Sequence, residues 1–120
     1  MIKKQNSKHY DLEDRTLRFA QRVREFIKKL PKTLANFEDT RQLVNASGSV
    51  GANYIEANET LSKRDFVMRI KICRKEAKES RYWLRLIDVH DDHQENMRRE
   101  LENESTELTS IFGAILRKTE

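Results

Sequence analysis

The sequence predicts an all-α protein, an up-down-up-down antiparallel four-helix bundle. Three observations carry that prediction. Breakers are scarce, with one proline and three glycines in 120 residues, too few for an all-β chain that needs turn residues every few positions. Charged and hydrophobic residues each make up 37%, the mixture of amphipathic helices rather than of disordered chain. The same start signal also occurs four times: a residue able to cap a helix, followed three positions later by an acid. The pairs are Asp11 with Asp14, Asn36 with Asp39, Ser62 with Asp65, and Asp92 with Glu95.

The opening residues 1–10 are polar and basic and read as a flexible arm, leaving residues 11–120 as a single domain. In the first helix, Leu12, Thr16, Phe19, Ala20, Val23, Phe26, Ile27 and Leu30 share a stripe that Pro31 ends. The second helix, from about Phe37 to Glu59, contains two glycines, Gly48 and Gly51. Each costs a helix interior about 1 kcal/mol relative to alanine. A phosphate-cradling loop would need a preceding strand and a well-placed lysine, and the segment has neither. Instead Leu43, Ser47, Val50, Gly51, Tyr54 and Asn58 fall on one helical face, with Ser47 and Gly51 one turn apart. Small side chains there let a neighbouring backbone approach, so Ser47, Gly51 and Tyr54 are assigned to helix packing. Gly48 and Ala52 form a second small pair on the adjacent flank.

The third helix carries a seam through Phe66, Ile70, Cys73, Ala77, Ser80, Leu84 and Ile87. Leu61 and Phe66 straddle its cap as a hydrophobic staple would. The fourth repeats the four-three step through Met97, Leu101, Glu104, Leu108, Ile111 and Ile115, with Phe112 widening the stripe. Short polar connections force sequential helices to run antiparallel.

Other classes are excluded by simple counts. No apolar run reaches the roughly 18 residues of a membrane span, and no signal peptide opens the chain. The single cysteine, Cys73, has no internal partner, so a reducing cytoplasm is the expected compartment. Cys73 lies on a core seam and reads as a buried, inert thiol. "HDDH" (His90 to His93) is the one metal-like cluster, but it sits at a turn with Asp92 already assigned as a cap, so no metal is expected. Glu56, Glu59, Glu76 and Glu79 lack the Glu-x-x-His pattern of di-iron bundles. The expectation is no enzyme and no cofactor.

Charge is where the sequence points to partners. The net charge is +4, and it alternates along the chain: +6 over 1–35, −3 over 36–62, +5 over 63–89 and −4 over 90–120. On the third helix, Lys71, Arg74, Lys75, Lys78, Arg81 and Arg85 share one flank with Tyr82 among them. Six cations with an aromatic ring can hold an RNA or DNA backbone. They can equally pair with the acidic second and fourth helices. A further apolar stripe, Met68, Ile72, Trp83 and Leu86, lies away from the core seam at about 100° per residue. It predicts a subunit interface.

Three stretches, "LPKTLAN", "SGSVGANYIEANE" and "FVMRIKICRKEAKESRYWLRLI", resemble the four-helix-bundle proteins encoded in intervening sequences of bacterial 23S rRNA genes. The likeness runs from about Asp11 to Ile87, and helix four matches in character. The resemblance implies a small cytosolic bundle assembled as a homo-oligomeric ring, a homopentamer as the best guess. It does not imply membership of the ribosome. Related bundles include the basic accessory protein of diversity-generating retroelements, which works with a reverse transcriptase and binds nucleic acid. By position, Arg74, Lys78, Arg81 and Arg85 would make such contacts here. Two functions therefore stand: an oligomeric RNA- or DNA-binding module, or a scaffold or accessory subunit with a protein partner.

Overall fold

The computed structural model describes residues 7–119, and these form four helices: α1 (Ser7–Ile27), α2 (Leu34–Asn58), α3 (Lys63–Leu86) and α4 (Asp92–Thr119). Contacts run α1 to α2, α2 to α3, α3 to α4, and α4 back to α1. Among the described residues neither diagonal pair, α1 with α3 or α2 with α4, comes within 8 Å between Cα atoms. The helices thus stand at the corners of a square and alternate in direction, as the short connections require. The expected fold class is the observed one.

The core is built from the stripes. Leu12, Thr16, Phe19, Val23, Phe26 and Leu30 of the α1 segment are buried, as are Ile70, Cys73, Ala77, Ser80, Leu84 and Ile87 of the α3 segment. Gly51 sits where α1 crosses α2. A Cβ there would lie 2.8 Å from Thr16 Oγ1 and 3.2 Å from Thr16 Cβ, so only a hydrogen fits at this approach of the two helices. Ser47 is buried one turn earlier, and Tyr54 one turn later packs its ring against Phe112 with centroids 5.9 Å apart. Asn58, placed on the same face by spacing, is exposed, and Ala46 and Ala57 are buried instead.

The starts differ from expectation at three helices. α1 begins at Ser7, so Asp11 lies within the helix rather than at its cap, and four residues assigned to the arm are helical; residues 1–6 lie outside the described residues. The α2 cap is Thr33, whose side chain accepts from the Asn36 amide. Asp91, not Asp92, caps α4, its Oδ1 accepting from Gln94 N at 2.9 Å. Ser62 does cap α3, accepting from Asp65 N at 3.1 Å. No staple accompanies it, because Leu61 is fully exposed at 101%.

Asn36, freed from capping, and Gln94 latch the end of the bundle that carries two reversals. Asn36 Nδ2 donates to the Pro31 and Asp88 carbonyls, each at 3.0 Å, and its Oδ1 accepts from Asp88 N at 3.0 Å. Gln94 Nε2 donates to Lys29 O at 2.7 Å while its Oε1 accepts from His90 N at 2.7 Å. Two buried amides thereby satisfy backbone groups of both connections, which would otherwise be costly to bury.

In α4 the buried stripe is Leu101, Ser105, Leu108, Phe112 and Leu116. Glu104, Ile111 and Ile115 lie beside it rather than in it, and Met97 only packs against its edge. A seam drawn with strict heptad steps drifts off the face of a straight helix, which turns once every 3.6 residues.

Candidate functional site

The outer surface of α3 holds the side chains that the core does not use. Ile70, Cys73, Ala77, Ser80 and Leu84 point inward. At about 100° per residue the six cations then fall on an outward flank. All six, Lys71, Arg74, Lys75, Lys78, Arg81 and Arg85, are exposed. Another cation of the same helix, Arg69, is turned the other way, where its Nη1 donates to Asn53 Oδ1 of α2 at 2.8 Å. At the start of the helix, Lys63 and Arg64 join Lys71 and Lys75 around a groove floored by Val67, Met68 and Ile72. Sequence reading left Lys63 and Arg64 out, although both lie in the same cationic block.

Charge pairing decides how much of this surface is neutralised. Among the described residues, the one carboxylate within 4.0 Å of any of the six is Glu76, at that distance from Lys75. Four acids of α4, Glu95, Glu100, Glu104 and Glu107, are paired elsewhere. Arg15 of α1 meets Glu104 at 2.7 Å and Glu107 at 2.6 Å, and Arg22 meets Glu100 at 2.7 Å. The hydrogen bond to Glu104 holds the Arg15 guanidinium well above its usual range, against the opposing effect of burial. Arg98 and Arg99 pair with Glu95 within α4 itself. The charge alternation seen in the sequence is thus answered between α1 and α4, and the α3 cations face solvent.

Two ionisable groups on α3 are shifted by burial. Glu76 is raised above the ordinary glutamate range by burial first and by neighbouring Glu79 second, with Lys75 opposing. Burial pushes the Cys73 thiol up to about 12, so at neutral pH it is protonated and unreactive.

The predicted interface quartet divides. Met68 and Leu86 are 55% and 46% exposed. Ile72 is half-buried, and Trp83 is half-buried against the subunit's own core. Trp83 also supports Tyr82, the rings meeting nearly edge-on at 76° with centroids 5.1 Å apart. Exposed Leu34 and Phe37 on the first turns of α2 were not singled out by spacing, because they fall at or before the expected helix start.

In the "HDDH" segment Asp91 caps α4 by accepting from Gln94 N, and His90, Asp92 and His93 are exposed. Among the described residues no group of three or more His, Cys, Asp or Glu could hold a metal ion. Glu56, Glu59 and Glu79 are exposed, and only Glu76 of that quartet is half-buried. No helix of the described residues is long and apolar enough to cross a membrane.

Comparison with known proteins supplies the family. No curated protein matches the chain. A crystal structure of a protein of unknown function from the S23 ribosomal protein family of Bacteroides thetaiotaomicron VPI-5482 is 28% identical, with a TM-score of 0.73 over 87% of this chain and 96% of that one. A family model described as 23S rRNA-intervening sequence protein matches residues 8–114. That span takes in nearly all of α1, the whole of α2 and α3, and most of α4, and the chain belongs to the 23S rRNA-intervening sequence protein family.

Proposed function

We propose that the protein is a non-enzymatic, homo-oligomeric module that binds RNA or DNA through the cationic flank of α3. The observation that carries this reading is the unneutralised state of that flank. Six exposed cations share it, and among the described residues the one carboxylate within 4.0 Å of any of them is Glu76, beside Lys75. Ordinary surface charge is interspersed with its opposite, whereas a same-sign stripe attracts a polyanion and releases its counterions on contact.

Self-association multiplies the effect. Copies meet through Met68, Ile72, Trp83 and Leu86 in a cytoplasmic ring, with five subunits as the number the family resemblance implies. Symmetry then repeats the stripe around the axis.

The test is a titration of the protein into labelled structured RNA and duplex DNA at low and near-physiological salt. The expected result is tight binding at low salt that falls linearly on logarithmic axes. Alanine at Arg74, Lys78, Arg81 or Arg85 should lower the slope by about one for each phosphate that is no longer neutralised. Absence of binding at low salt would overturn the reading and assign the protein to the scaffold class, with the search turning to a protein partner such as a reverse transcriptase.

A further inference from the structure

We propose that the nucleic acid held by α3 is an unpaired strand, with one base stacked on Tyr82. This rests on the nucleic-acid reading above and specifies its substrate class. Tyr82 is 58% exposed, and its ring takes no part in the core. It lies within the cationic flank, one turn after Lys78 and three residues before Arg85, so a cation stands on the helix surface to either side of it. The ring has one aromatic neighbour. Trp83 packs on the core and meets Tyr82 nearly edge-on, with centroids 5.1 Å apart. An exposed aromatic standing between positive charges is the arrangement that binds single strands, because every base offers a π-face while the backbone follows the cations.

A duplex cannot use this ring. Its bases are stacked within the helix, and a protein reads their edges chiefly through the major groove, about 12 Å wide. α3 is flanked along its length by α2 and α4, and the shortest extent of the molecule is 20 Å. The bundle therefore meets a duplex across its phosphates, where Tyr82 adds nothing. An unpaired strand can instead lie along the flank, which runs about 21 Å from Lys71 to Arg85 at 1.5 Å per residue. RNA and DNA strands share this chemistry.

The experiment uses a short, unstructured, labelled oligonucleotide, as RNA and as DNA, each alone and annealed to its complement. Binding is read by anisotropy for the parent, Tyr82→Ala and Tyr82→Phe, with thermal melts confirming that both variants fold. A single strand should bind about tenfold or more tighter than its duplex. Tyr82→Ala should weaken strand binding by about fivefold to a hundredfold with an unchanged salt slope, and Tyr82→Phe should retain it. The emission of Trp83, the only tryptophan, should change on strand binding in the parent. A preference for RNA or for DNA strands would support the proposal and name the source. Equal affinity for strand and duplex, or an unchanged Tyr82→Ala, would overturn it while leaving the cationic reading intact. Absence of binding to every probe would overturn both.

Discussion

Gly48 and Gly51 lie three residues apart in one helix and meet opposite surroundings. A Cβ at Gly51 would press on Thr16 at 2.8 Å, whereas a Cβ at Gly48 would meet its nearest neighbour, Arg24 Nη2, at an ordinary 3.6 Å. Gly51→Ala should therefore destabilise the fold by about 1–3 kcal/mol through overpacking. Gly48→Ala should stabilise it by about 0.5–1 kcal/mol, since alanine costs a helix less than glycine. Urea unfolding of the two variants checks both, and equal shifts would refute the assigned close approach. Asn36 makes a second residue-scale case. Alanine there leaves Asp88 N and the carbonyls of Pro31 and Asp88 without their partner, a loss expected to reach at least about 2 kcal/mol. A denaturation midpoint close to that of the parent would mean that the latch is not needed. Spacing could single out Ser47 and Gly51 because small residues one turn apart are visible in sequence. It gave Asn36 the wrong task, because an Asn able to cap a helix looks the same as one that reaches across to another loop.

At the scale of the element, α3 shows how one helix serves two environments. Its inward face is apolar, its outward flank is cationic, and Glu76 is half-buried. Because burial raises the folded-state pKa of Glu76 above its unfolded value, the folded chain binds that proton more tightly than the unfolded one. Between the two values the native state holds more protons, so stability falls as pH rises through them. Glu76→Gln should remove that decline. The variant should melt above the parent at neutral pH, and the gap should close below the ordinary glutamate range. A gap that does not change with pH would refute the assignment. The stripes of α1 and α3 were legible because their steps follow the turn of the helix closely. The α4 stripe was read one position off around Glu104, since a heptad rule and a straight helix separate over several turns. Only the ion pairs to Arg15 and Arg22 show that Glu104 and Glu100 belong to the α1 side.

The whole molecule presents exposed apolar side chains that a lone bundle does not require, among them Met68 and Leu86 towards the two ends of α3. If copies associate there, Met68→Glu and Leu86→Glu should each give a folded protein of smaller particle mass by light scattering. Both side chains are exposed, so neither change should unfold the subunit. Melting like the parent with an unchanged mass would place the interface elsewhere. Trp83 is the poorer probe, because its ring packs on the subunit's own core and a charge there would disturb folding as well as assembly. The candidate nucleic-acid face was visible as six cations at helical spacing, since periodicity alone puts them on one flank. Whether they were paired was not visible, because opposite charges on neighbouring helices are compatible with several pairings.

The sequence by itself determined the number and direction of the helices and the inward faces of α1 and α3, because these depend on local periodicity and short connections. Tertiary structure decided which helix answers which charge, which polar residue caps and which one latches, and why Gly51 rather than Gly48 needs to be glycine. Those outcomes depend on distances between segments far apart in the chain, and no local pattern encodes such distances. Arg15 and Glu104 are 89 positions apart in sequence and 2.7 Å apart between Nε and Oε2, a meeting that only the packing of α1 against α4 brings about.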